Sequence, residues 1–268
     1  MKQIIIFVVL LSFILPTSLS AADKKSVTNE LVKHLHLAEQ AQQISAFALS
    51  EIDNRKEGLP EDEYTRLRNI MLESFNQQRL FNIMRDYFMS HYDEKLSPLW
   101  LETLKSAEVK KFSALEAKAA TPESFQQLMD YSQLLQNNPL PQARIELAQK
   151  LNQLSHDSNL AIESQVAVAK VILHAINPTL PSNKQMGTSQ IQTALDALRM
   201  QISQTLHNFT TVSYLFAYRD VSTDELSHYV GLYETPQGQW ATTTLYNAVI
   251  KALENAVRQF ENNASSSQ

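Results

Sequence analysis

The sequence predicts an all-α fold: an irregular bundle of about eight to ten helices around a central apolar helix, preceded by a cleaved signal peptide. Three observations carry that expectation. Apolar residues recur at three- and four-residue steps nearly everywhere, the spacing that puts them on one face of a helix. No stretch of four or more residues alternates strictly between glycine turns, as a half-buried strand would. The 268 residues include only four glycines, Gly58, Gly187, Gly231 and Gly238, each standing alone.

At the N-terminus, Lys2 precedes an apolar stretch from Ile4 to Leu15, too short to span a bilayer of about 30 Å. Pro16 ends it, and Ser20-Ala21-Ala22 places small residues where a signal peptidase reads, so cleavage is expected after Ala22. We therefore expect an exported, periplasmic chain. Beyond residue 22 the apolar runs are broken before a spanning length, so no transmembrane segment is expected in the mature protein.

The first helix is expected from Thr28 to Ile52, on a stripe of Leu31, Leu35, Ala41, Ile44, Ala48 and Ile52. After Gly58 and Pro60, a second helical stretch from Glu61 to His91 is rich in Met and Phe, with a break near Asn76-Gln77-Gln78. Ser97-Pro98 and Thr121-Pro122 each read as an N-cap followed by proline at the first helical position. Asn137-Asn138-Pro139 stops the helix opened at Thr121, since proline disfavours helical geometry in its predecessor. A short helix to Leu154 follows.

From Asp157 to Ile176 the apolar side chains cover almost the whole circumference, leaving a narrow stripe of Glu163, Ala167, Lys170 and His174. Such a helix belongs near the centre of the bundle. The segment 177–188 is a linker candidate and a possible subdivision of an otherwise single domain over 23–261. A long helix then runs from Thr188 towards Tyr218, about 45 Å at 1.5 Å per residue. The last helix is expected to reach Phe260, with residues 262–268 a polar, disordered tail.

Composition excludes several functions. A formal charge of −5 gives no basic face for nucleic acid. Dispersed glycines rule out phosphate-cradling loops. With no cysteine there are no disulfides, thiolate nucleophiles or Cys-based zinc sites. No cofactor is expected.

Two constellations could carry chemistry. Glu225 and His228 have the Glu-x-x-His spacing of di-iron bundles, but no second copy of the motif occurs, so they are only minor metal candidates. Glu163-Ser164, followed by Gly187 and Gln190, is similar in part to the Glu-Ser and Gly-Leu-Met-Gln signatures of lytic transglycosylases. That likeness makes Glu163 a candidate general acid, although leucine and methionine are missing between Gly187 and Gln190.

Near the C-terminus, Asp224-Glu225-Leu226 opens a helix that carries Tyr229 and Tyr233. Thr235-Pro236-Gln237-Gly238 then caps and starts the last helix, beginning with Trp240. Glycine in that first turn permits a neighbouring backbone to approach closely. This stretch resembles the C-terminal signature of an uncharacterised family of exported, all-helical bacterial proteins: an acidic-Glu-Leu helix start, an aromatic, a Ser/Thr-Pro-x-Gly turn and a final helix. The resemblance implies an exported helical fold with an unassigned activity and supplies no catalytic residue.

The leading expectation is a non-catalytic periplasmic protein acting through a protein or cell-envelope contact. The alternatives are a peptidoglycan-acting enzyme using Glu163 and a carrier of an apolar ligand. If export proceeds as read, mass spectrometry of the mature chain from an exporting host will show an N-terminus at Asp23; an intact Met1 would contradict it.

Overall fold

A computed structural model describes residues 21–266, so the signal-peptide reading of residues 1–22 falls almost wholly outside the described residues. Within them the fold is all-α. Helices α1 (Ala21–His34), α2 (Leu37–Asp53), α3 (Glu61–Ser74) and α4 (Gln77–Ser90) form the N-terminal part. Helices α5 (Leu96–Lys105), α6 (Ala107–Ala119), α7 (Pro122–Asn137) and α8 (Gln142–Ser155) follow. The chain ends with α9 (Asp157–Ile176), α10 (Thr188–Ala217), α11 (Thr223–Glu234) and α12 (Pro236–Ser266).

Within this multi-helix bundle the individual helix limits have local causes. The single helix expected from Thr28 to Ile52 is two, because His36 adopts left-handed backbone with φ 53° between α1 and α2. At Asn76 the side chain accepts from the Arg79 amide and starts α4. Ser97 is not the cap of α5: the upstream Asp93 carboxylate accepts from the Lys95 and Leu96 amides at 2.8 and 2.7 Å, and the helix begins at Leu96, two residues earlier than expected. Thr121 does cap α7, with its hydroxyl 3.3 Å from the Ser124 amide.

Two helices share the centre. α9 packs against α2, α3, α8, α10 and α12, while α12 touches α3, α4, α5, α8, α9 and α11. On α12 the fully buried Ala248, Ala252 and Ala256 recur every four residues, so one seam of methyl groups lets neighbouring backbones come close. Leu37, Ala41, Leu80, Met84, Val171 and Ile172 fill this first core region. A second region gathers the aromatic residues Trp100, Phe112, Tyr218 and Tyr229 around α5, α6 and α11. A third, smaller region joins α9 to the start of α10 through Ile162, Val166, Ile191 and Leu195.

Within Asp157–Thr179 an 18-residue window with a mean hydropathy of 1.2 is long and apolar enough to cross a membrane, contrary to the expectation of no such run beyond residue 22. In the fold its Ile162, Val166, Val171 and Ile172 are buried among other helices, as the core of a bundle requires. The linker candidate 177–188 is closed on itself. The Asn177 side chain donates to the Met186 carbonyl at 2.8 Å and accepts from the Met186 amide at 2.7 Å. At the far end, helical backbone runs past Phe260 to Ser266, into the segment expected to be disordered.

The joint between α11 and α12 follows the sequence reading closely. The Thr235 hydroxyl accepts from the Gly238 amide at 3.1 Å and donates to the Leu232 carbonyl at 2.6 Å, tying the two helices together. A Cβ at Gly238 would lie 2.4 Å from the Leu232 carbonyl oxygen and 2.8 Å from Tyr233 Cα. Gly231, inside α11, has open space around it. Gly238→Ala should therefore destabilise the fold by roughly 1–3 kcal/mol through overpacking against backbone. Gly231→Ala should stabilise it by about 0.5–1 kcal/mol through helix propensity. Denaturant unfolding of the two variants checks both signs.

Candidate functional site

The most distinctive chemistry gathers where α6, α10 and α11 meet. On α6, Val109, Phe112 and Glu116 share the inward stripe, so one carboxyl group lies among apolar residues. Tyr214 and Tyr218 stand four residues apart at the end of α10, and Tyr229 and Tyr233 repeat that spacing on α11. Each pair therefore points from one helix face. The Tyr218 hydroxyl donates to Glu116 Oε1, and the Tyr229 hydroxyl donates to the same oxygen at 3.3 Å. Tyr229 and Tyr233 hydroxyls lie 2.9 Å apart, extending the chain of hydroxyl groups.

Aromatic packing fixes these rings. Phe112 stacks on Tyr229 with centroids 3.9 Å apart and meets Tyr218 edge-on at 5.0 Å. Trp100 meets Tyr233 edge-on at 5.6 Å. Behind Tyr218, the buried Arg144 guanidinium donates to its backbone carbonyl, which holds the end of α10 against α8.

A second carboxyl group enters from α9. His156 takes left-handed backbone with φ 63°, and Asp157 follows as the first residue of the helix. Tyr214 donates to Asp157 Oδ2, and Ser155 Oγ lies 3.1 Å from the Tyr214 hydroxyl. Asp157 is exposed and lines hollows on both sides of the start of α9.

The larger hollow is a cavity of about 710 Å³. Its walls are apolar: Ala119, Ala120, Phe125 and Leu128 on one side, Phe209 and Phe216 on the other. Glu116, Asp157, Tyr214, Ser213 and Thr121 are the polar residues of its lining. Phe125 and Phe209 are 56% and 42% exposed, unusual for phenylalanine, and stand where the cavity meets solvent. The wall at Ala119 and Ala120 is set by the corner between α6 and α7, where Ser124 Oγ donates to the Lys118 carbonyl at 2.8 Å.

Burial pushes the Glu116 carboxyl up to about 7. The Tyr218 and Tyr229 hydroxyls offset part of that by stabilising the anion, and the Asp157 charge adds to the rise. Asp157 is also raised, first by desolvation, against the hydrogen bonds from Tyr214 and Ser155 and the charge of His156. Tyr214, Tyr218 and Tyr229 are held well above the usual phenol range by burial and by the neighbouring carboxyl groups, so they act as donors at neutral pH.

The residues singled out from sequence lie elsewhere or do other work. Glu163 faces Arg199, which donates to both carboxylate oxygens at 2.9 Å, beside a separate charged hollow containing Lys170. Lys170 pairs with Glu261 at 3.4 Å rather than with Glu163. Gln190 accepts from the Gly187 amide at 2.8 Å and is engaged in starting α10. Glu225 closes a capping box with Ser222 and pairs with Lys111 at 2.6 Å; these contacts hold its carboxyl at about 2, the lysine first among them. His228 Nδ1 lies 2.6 Å from Glu108. No group of three or more metal-ligating side chains occurs among the described residues. Leu226 is fully buried in the aromatic core region, and Trp240 donates to the His91 carbonyl at 3.3 Å.

Sequence reasoning passed over Glu116, Asp157, Tyr214 and Tyr218. The available signal was an acid on the apolar stripe of α6 together with tyrosine pairs at four-residue spacing. Comparison with protein-family models, curated proteins and solved structures returned no match.

The Glu116 carboxyl binds its proton more tightly in the folded chain than in the unfolded one. Its contribution to stability is therefore fullest below about 4.5 and declines as pH rises through about 7. Relative to Glu116→Gln, the wild-type protein should lose up to about 3 kcal/mol of unfolding free energy between pH 4.5 and 8. Denaturant titrations of both proteins across that range measure the difference, and parallel pH profiles would contradict it.

Proposed function

We propose that the chain is an exported, non-catalytic binding protein of the bacterial envelope that holds an apolar small molecule in the cavity between α6, α7 and α10. The observation that carries this reading is the cavity itself: about 710 Å³, walled by aliphatic and aromatic side chains, with a few convergent polar groups on one side. Ligand sites in proteins commonly occupy about 300–1,000 Å³ and have this division of apolar wall and sparse polar contact. The C-terminal resemblance supports placing the chain among exported, all-helical bacterial proteins of unassigned activity.

A carrier is favoured over a docking platform for another protein because the exposed phenylalanines border a concavity. Binding is favoured over catalysis because the Tyr218 and Tyr229 hydroxyls already donate to Glu116. The same reasoning applies to Glu163, whose two oxygens are taken by Arg199; this disfavours a general-acid role in glycan cleavage.

The hydrophobic fluorophore 1-N-phenylnaphthylamine should bind with enhanced emission. Phe125→Asp at the mouth or Ala120→Trp in the wall should weaken it by about tenfold or more, the loss expected from removing or blocking one aromatic-sized contact. Met200→Asp, at a residue 74% exposed elsewhere on α10, should leave the affinity unchanged. Absence of probe binding to the wild-type protein, or equal loss in all three variants, would refute the cavity as a ligand site.

A further inference from the structure

We infer that the occupant of this cavity is an organic cation, an amine or quaternary ammonium group on an apolar body, with its charged end between Glu116 and Asp157. The inference rests on the reading of the cavity as a ligand site and adds the chemistry of the ligand.

Charge complementarity is the first argument. The described residues lining the cavity include two carboxyl groups and no lysine, arginine or histidine. A neutral apolar ligand needs no carboxyl group in its site, and an anionic one would be repelled by two. A cation gives both carboxyl groups a counter-charge where protein and ligand together exclude water and the attraction is less screened. Two nearby guanidinium groups are committed to other contacts. Arg144 is bound to the Tyr218 carbonyl, and Arg219 lies over the Phe216 ring at 4.2 Å while donating to the Phe216 carbonyl at 2.8 Å.

The walls supply the second argument. Phe209, Phe216, Phe125 and Tyr214 surround the space with aromatic rings. Ring faces attract cations, and aromatic cages with an acidic member are a recurrent way of holding alkylated ammonium groups. The contact of Arg219 on Phe216 shows a ring of this wall engaging a cation from its other surroundings. The apolar walls leave room for a hydrocarbon or aromatic body extending from the charged end towards Phe125.

Glu116 gives the pocket a further property. With its carboxyl titrating near neutrality, an arriving cation stabilises the ionised form, and a proton leaves as the ligand binds. The groups facing it are Tyr218 of α10, Tyr229 of α11 and Asp157 of α9, with His156 acting on Asp157.

Three probes of one shape decide the matter by displacement of 1-N-phenylnaphthylamine at pH 7.5: 4-phenylbutyltrimethylammonium, its uncharged carbon isostere, and 5-phenylpentanoate. The cation should bind about tenfold or more tightly than the neutral isostere, and the anion should bind more weakly than either. Glu116→Gln and Asp157→Asn should each reduce the preference for the cation while the neutral isostere keeps its wild-type affinity. If Glu116→Gln fails to fold, Asp157→Asn and the wild-type preference still decide. Equal binding of cation and isostere, or preference for the anion, overturns the cation assignment and leaves the cavity reading standing. Failure of the fluorophore and all three probes to bind overturns both.

Discussion

A carboxyl group withdrawn from water must either find donors or keep its proton, and the architecture around α6 is arranged around that constraint. Glu116 obtains its donors from the end of α10 and from α11, which fixes where those helices meet α6. Asp157 obtains its own from Tyr214, one turn earlier on α10, and thereby ties the start of α9 to the same surface. Two acids and a set of tyrosines thus specify the mutual position of four helices. Aromatic contacts around Phe112 then fill the space between the hydroxyl groups. Replacing such a network by apolar residues need not weaken the fold; its retention here accompanies a cavity that opens onto the same carboxyl groups.

The scaffold behind the network is made from small residues. Ala248, Ala252 and Ala256 on α12 allow close helix packing, and Gly238 allows the first turn of α12 to lie against the last turn of α11. The position of Tyr229 and Tyr233 follows from that joint, because the residues that set its angle, Leu232 and Thr235, flank Tyr233 in sequence. Packing at one end of the chain in this way determines electrostatics at a carboxyl group contributed by its middle.

Much of the fold was legible in the sequence because helical periodicity is a local property. The limits of α9, the Thr121-Pro122 start and the Thr235-Pro236-Gln237-Gly238 joint all follow from residues within a turn of each other. The break at His36 was hidden because the apolar stripe continues across it and neither glycine nor proline marks the left-handed residue. Ser97-Pro98 misled because Asp93, four residues upstream, offered a competing acceptor. The site was less legible for a different reason. Glu116 meets Tyr218 and Tyr229 across more than a hundred residues, so no local motif announces it. Glu163 and the pair Glu225 and His228 did show local motifs, but their partners, Arg199, Lys111 and Glu108, also come from distant segments that spacing alone does not reveal.

One residue, His156, is all that separates α8 from α9. An elbow without slack behaves differently from the longer connections at 138–141 and 177–187. Inserting or deleting a single residue there would redirect the start of α9 relative to α8, carrying Asp157 away from Tyr214. Length variation among natural versions of this protein should accordingly collect in the longer connections and spare this corner, whatever substitutions the surrounding surface accepts.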